Sequence, residues 1–148
     1  MSQYNHYTSF DVSSNATVFE FTSIGPKGEI KKIIQFTETK ADHIFNLAFG
    51  NIREDSTIDD TTTNDNKDRD KILATVAAVV YQFTQRYPDN YVFFTGSSPE
   101  RTRLYRMALT INYDDLAKTF EIWGLREEVG FEPFEKRWNY TGFLIKRK

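Results

Sequence analysis

The chain has 148 residues, enough to bury a core without cross-links, and its 13 Phe, 8 Tyr and 2 Trp exclude a disordered chain. It has no cysteine, which excludes disulfides, thiolate metal sites and cysteine nucleophiles. A net charge of −2 argues against a strongly basic nucleic-acid binder and for a mixed surface.

The opening residues, MSQYNHYTSF, lack the basic start and apolar run of a signal peptide. No apolar stretch reaches the roughly 18 residues of a membrane span. The expectation is a cytosolic protein away from membranes, in which the sequons Asn15-Ala16-Thr17 and Asn139-Tyr140-Thr141 carry no meaning. A first short strand is predicted over Tyr7 to Val12. TVFEFTS then places Phe19 and Phe21 on one face and Val18, Glu20 and Thr22 on the other, the two-residue period of a half-buried strand. Ile24-Gly25-Pro26-Lys27-Gly28 reads as a turn. The return strand EIKKIIQFTE collects Ile30, Ile34 and Phe36 on one face, with Lys32 its one charged member. HIFNLAFG follows, with Phe45, Leu47 and Phe49 on one side, completing an antiparallel meander.

From Arg53 to Asp70 there are seven acids against three bases and no periodicity, so a long, flexible acidic loop is expected there. KILATVAAVVYQFTQRYP is the clearest helix. Ile72, Val76, Val79, Val80, Phe83 and Tyr87 form one apolar stripe, Asp68 and Asp70 suit the positive end of the dipole, and Pro88 closes it. NYVFFTG reads as a buried central strand. A second helix follows, broken near Asn112, then a strand in KTFEIWGL. Phe131 to Thr141 reads as an aromatic-rich connection, and GFLIKRK as the last strand. The predicted fold is a single α+β domain, residues 1–148, with a mostly antiparallel sheet of about five to seven strands and two main helices packed against it.

The chemistry-bearing stretch is TGSSPERTRLYRMAL, Thr95 to Leu109. Ser98 is placed as the N-cap and Pro99 at the first helical position, where its missing N–H costs nothing. Helical spacing then predicts Leu104, Met107, Ala108 and Ile111 as the buried side. Arg103 and Arg106 should face solvent, with Arg101 and Tyr105 along one flank. Ser97, Ser98 and Arg101 could hold an anion at the helix start, although Pro99 removes a donor and Glu100 places a negative charge there; the competing reading is a well-capped surface helix.

From Arg101 to Lys148 there are ten bases against seven acids, so a phosphate-facing surface with Tyr105, Trp138 and Tyr140 for base stacking is a further reading. Arg103, Arg106, Tyr105, Lys136 and Tyr140 also supply the residue types of a metal-independent ribonuclease. His6 and His43 lie far apart in sequence, so zinc and Ser-His-Asp catalysis are not expected. The Gly25 to Gly28 turn lacks the rest of a phosphate-binding loop. Asp59, Asp60, Asp65, Asp68 and Asp70 miss the EF-hand spacing, and Glu127, Glu128, Glu132 and Glu135 read as partners of Arg126, Lys136 and Arg137.

The segments IGPKGEIKKIIQF, NLAFG, LATVAAVVYQFTQRYPD, FFTGSSPERTRLYRMAL, FEPFEK and GFLIKRK resemble a family of small bacterial proteins known only as a domain of unknown function. The most specific element is the T-G-S-x-x-x-R-T-R-L-Y-R segment, Thr95 to Arg106. The resemblance implies one bacterial domain and assigns no activity, cofactor, substrate or catalytic residue. The function expected from the residues is binding without metal or cofactor. A protein partner on the helix face of Arg101, Arg103, Tyr105 and Arg106 ranks first, with nucleic acid and ribonuclease action as alternatives. Together these readings make Ser97, Ser98, Arg101, Arg103, Tyr105, Arg106, Lys136, Trp138 and Tyr140 the candidate binding residues. The oligomeric state is left open.

Overall fold

The computed structural model describes residues 5–52, 55, 58–59 and 66–148. In chain order the strands β1 (Asp11–Val12), β2 (Val18–Gly25), β3 (Gly28–Glu38), β4 (Ile44–Ile52) and β5 (Ile58–Asp59) lead into helix α1 (Arg69–Arg86). Then come β6 (Tyr91–Phe94), α2 (Pro99–Ile111), the short α3 (Tyr113–Leu116), β7 (Phe120–Arg126), β8 (Gly130–Pro133) and β9 (Gly142–Arg147). Among the described residues all nine strands join one sheet of order β1-β2-β3-β4-β6-β9-β7-β8, with β5 paired to β4. Every pairing is antiparallel except β4 with β6, which α1 connects as a crossover. The α+β class stands.

The strand count exceeds the expected five to seven because two strands carry weak local signals. β5 lies within the acidic segment, pairing Asn51 with Asp59 and Ile52 with Ile58. β8 occupies the start of the aromatic stretch read as a connection, with Leu125 opposite Phe131. The first strand is shorter than predicted, only Asp11–Val12. Ahead of it Tyr7 donates its backbone N–H to Thr75 of α1, and Phe10 packs edge-on against Phe19 and Phe21. Of the expected acidic loop, residues 53–54, 56–57 and 60–65 lie outside the described residues. Its end is anchored. Asn66 is buried, accepts from the Lys27 N–H, and donates to Ser23 and to the Gly28 carbonyl, so it grips the β2–β3 turn.

Both long helices lie on one face of the sheet. The inward residues Phe19, Phe21, Ile34, Phe36, Leu47, Val92, Phe94, Phe120, Ile122, Phe143 and Ile145 meet Ile72, Val76, Val79, Val80 and Phe83 of α1 in one cluster. Phe36 stacks on Phe83 at 3.9 Å between ring centroids. The interior threonines of α1 bond back to their own helix: Thr75 to the Lys71 carbonyl and Thr84 to that of Val80. Ser98 caps α2 as expected, accepting from the Arg101 N–H, and Pro99 starts the helix. The buried side of α2, however, is not the predicted one. Thr102, Leu109 and Asn112 are buried and Tyr105 packs against the core, whereas Ile111 is 47% exposed. The polar members satisfy themselves locally: Thr102 donates to the Ser98 carbonyl and accepts from the Gly96 N–H, and Asn112 donates to the Ala108 carbonyl. They can therefore turn inward without an unpaired group.

Candidate functional site

The helix α2 residues do not form one surface. Ser98 is occupied as a cap. Ser97 and Arg101 each have an interaction partner, and Arg101 lies close enough to Lys32 to act on its charge. A Cβ on Gly96 would lie 2.3 Å from the Thr102 nitrogen, so only glycine lets the chain press onto the start of α2. Arg103 is exposed as predicted. Arg106 is not directed at solvent alone: it donates to the Lys136 carbonyl at 2.8 Å, tying α2 to the chain between β8 and β9. Tyr105 sits edge-on against Phe94 at 5.3 Å and lines an apolar cavity of about 50 Å³ between α1, α2 and the sheet. That falls short of the roughly 150 Å³ that admits a benzene-sized ligand. Tyr105 is a packing residue.

The C-terminal members are also mostly structural. Tyr140 is 5% exposed, and its hydroxyl accepts from the Glu135 N–H at 2.9 Å and donates toward Glu132 at 3.3 Å. Burial raises it above the ordinary phenol range. It is no stacking platform and no accessible proton shuttle. Trp138 donates to Glu135 at 2.6 Å, with the guanidinium of Arg126 4.0 Å and that of Arg137 4.6 Å from its ring. Arg126 pairs with Glu132 at 2.7 Å, and Arg137 with Glu135 at 3.4 Å, as the sequence suggested. Lys136 is exposed, its ammonium 5.7 Å from the Tyr113 ring. The structure thus brings Arg106 to the Lys136 backbone, but divides the nine candidates among the start of α2, its exposed side with Arg103, the core and the connection between β8 and β9.

Two features lie outside the candidate residues taken from the sequence. The first is polar. Lys32 points into the apolar side of the sheet, 6% exposed, and donates to Asn51 Oδ1 at 2.5 Å. Burial lowers its ammonium below the ordinary value, while Asp68 pulls it upward and Arg101 lowers it further. Asp68 ends the approach to α1 without capping it. Its carboxylate accepts instead from the hydroxyls of Tyr7 and Ser23, both at 2.5 Å. These bonds fasten the N-terminal segment and β2 to the start of α1. The signal was present, since Lys32 stands among Ile30, Ile34 and Phe36 in a period-two pattern. Among the described residues, no group of three His, Asp or Glu is placed to hold a metal ion. Of the acids considered earlier, Asp60 and Asp65 lie outside those residues and Asp70 pairs with Arg69 at 3.5 Å.

The second feature is the sheet face turned away from the helices. On β6 the inward residues are Val92 and Phe94, and Tyr91 and Phe93 point outward, half-buried; the strand is central but not buried on both sides. Register puts Phe93 opposite Leu144 of β9, Leu144 opposite Trp123 of β7, and Leu125 opposite Phe131 of β8. Gly142 leaves room for the Phe93 ring, whose edge would be 2.8 Å from a Cβ there. Phe93 thereby reaches Phe131 in an edge-on contact at 6.1 Å, and Tyr91 meets Trp123 at 5.8 Å. Phe131 is 50% exposed, and Val129 in the adjoining turn 57%. The same face on β2 to β4 carries no aromatic residue and mixes Glu20, Thr22, Lys31, Gln35 and Asn46 with Val18, Ile24, Ile33, Ile44 and Ala48. The outer face of an antiparallel sheet is commonly solvated and polar, so the clustered aromatic patch on it is the candidate site of this structure. A run such as YVFF cannot reveal this by itself, because an apolar strand covered on both sides looks the same.

Among the described residues no helix is long and apolar enough to cross a membrane. No curated protein and no solved structure matches the chain. The match to a family extends over residues 3–148, nearly end to end, and the chain belongs to the Family of unknown function (DUF6934).

Proposed function

We propose that this chain is a binding module, acting in the cytosol, that docks a protein partner on the open face of its sheet. The observation that carries the reading is the contiguous patch of Tyr91, Phe93, Trp123, Leu125, Phe131 and Leu144 on strands β6 to β9. Aromatic residues with charges kept off the centre are the composition of an interface core. The protein partner expected from the sequence is retained, and its docking surface moves from α2 to the sheet. Of the helix residues, Arg103 remains a candidate for rim contact.

A nucleic acid would need a cationic rim beside the aromatic rings. On the patch strands the outward charges are Glu121 and Lys146, one of each sign, which favours a protein. The ribonuclease reading loses support because Tyr105, Arg106 and Tyr140 are each engaged in packing or backbone contacts.

A photocrosslinking phenylalanine analogue placed at Phe131 or at Arg103 tests the assignment in the living host. Adducts of discrete mass are expected from position 131, lost when Trp123→Asp is added. Adducts from position 103 alone would overturn it. Salt-sensitive binding of single-stranded RNA, abolished by Trp123→Ala, would transfer the face to nucleic acid.

A further inference from the structure

We infer that the occupant of the open face is a second copy of this chain, packed sheet to sheet about a two-fold axis running between β9 and β7, along the strands. The inference rests on the docking reading above and adds the identity of the partner. Two observations carry it: what the register places on either side of that line, and what closes the sheet edges.

In the antiparallel pairing of β7 with β9, Lys146 lies opposite Glu121 and Leu144 opposite Trp123. All four point to the open face, alternating with the inward Phe120, Ile122, Phe143 and Ile145. A two-fold axis along the strands exchanges the two positions of each register pair. In the resulting assembly Lys146 of one copy faces Glu121 of the other, twice, and Leu144 faces Trp123, twice. Opposite charges meet, and an aliphatic side chain meets an aromatic ring. A surface that is its own complement in this way is what an isologous dimer requires. A uniformly acidic or basic partner would leave one of the two charges facing its own sign. The Lys146 ammonium also lies 5.8 Å from the Tyr91 ring and donates to the Arg147 carbonyl at 3.2 Å, holding its position at the patch border.

Edge addition is the other way to join two sheets, and it is discouraged. β8, at one end of the strand order, contains Pro133, which has no N–H to donate; at the other end β1 has two residues and covers Phe19 and Glu20 of β2, and the Ile24 N–H farther along β2 donates to the Tyr7 hydroxyl. The face remains. Rotation about an axis along the strands keeps the strand directions aligned, the usual arrangement when two twisted sheets pack.

Sedimentation of the pure full-length chain tests this, with circular dichroism and thermal unfolding to establish that each variant folds. The wild type is expected to form a reversible dimer, and Leu144→Asp to be a folded monomer. Lys146→Glu and Glu121→Lys are each expected to be monomeric alone. Mixed in equal amounts they are expected to form a heterodimer, because the mixture alone restores both opposite-charge contacts. Loss of the pair within one chain cannot produce that rescue. A wild type that stays monomeric at its highest soluble concentration overturns the inference, as does a dimer insensitive to all three substitutions or a mixture that stays monomeric. If a monomeric wild type still gives Phe131 adducts with a different protein, only the second copy is refuted. If no adducts form either, the docking reading falls with it.

Discussion

Lys32 shows how one residue can be read against its surroundings. Its ammonium is buried beside the core with Asn51 as acceptor, and burial holds it below the ordinary value of 10.5. Between the lowered folded value and 10.5 the unfolded chain binds more protons than the folded one, so stability rises with pH across that window. Below the window the ammonium is charged in both states and the full cost of burying it remains. Lys32→Met removes this titration and leaves Tyr7 and Tyr140 to titrate equally in both chains. In urea unfolding from neutral pH upward, the wild type is expected to gain stability on the variant as pH rises; a constant difference would contradict this. Two further substitutions separate fastening from display. Arg106→Ala removes the tie to the Lys136 carbonyl and should cost about 0.5–1.5 kcal/mol, while Arg103→Ala should stay within about 0.5 kcal/mol. Equal effects in denaturant titration would refute the distinction. Gly124→Ala would put a methyl 2.4 Å from the Tyr140 ring, and a loss of about 1–3 kcal/mol is expected from the displaced ring. An unchanged unfolding midpoint would show that the ring is not held there.

At the scale of elements, strong periodicity was readable wherever one face was apolar and the other polar. The alternation of Phe19 and Phe21 with Glu20 and Thr22, the stripe of α1, the Ser98-Pro99 start of α2 and its break at Asn112 all appear in the structure. α2 was legible as a helix but not in its rotation. Two of its sides compete, one holding Leu104, Met107 and Ile111, the other Thr102, Tyr105, Leu109 and Asn112. Hydropathy favours the first, yet the second lies inward because Thr102 and Asn112 bond to the backbone one turn earlier and Tyr105 meets Phe94. β5 and β8 were not legible, since their pairing partners lie on neighbouring strands and the short segments carry no period of their own. Thr102→Val tests the rotation: it keeps the shape, deletes the hydroxyl that accepts from Gly96, and should destabilise by about 1–3 kcal/mol. A neutral substitution would mean that Thr102 is not the inward residue.

The whole molecule is a sheet with its helices on one side, and this arrangement leaves the opposite face to explain. The candidate site was read where charge is dense in the sequence, on α2. The patch is assembled instead from outward residues of β6, β7, β8 and β9, whose adjacency depends on β9 inserting between β6 and β7. No local pattern encodes that insertion. In this arrangement Arg106, Arg126 and Tyr140 fasten α2 and the final connection to the body, while Arg103 stays exposed and the aromatic residues Tyr91, Phe93, Trp123 and Phe131 gather on the opposite face.

The most direct measurement compares crosslinking yield in the host from the analogue at Phe131 with that from Arg103, each with and without Trp123→Asp. The account predicts protein adducts from position 131 that disappear with Trp123→Asp. Adducts confined to position 103, or a yield at 131 unaffected by that substitution, would contradict it.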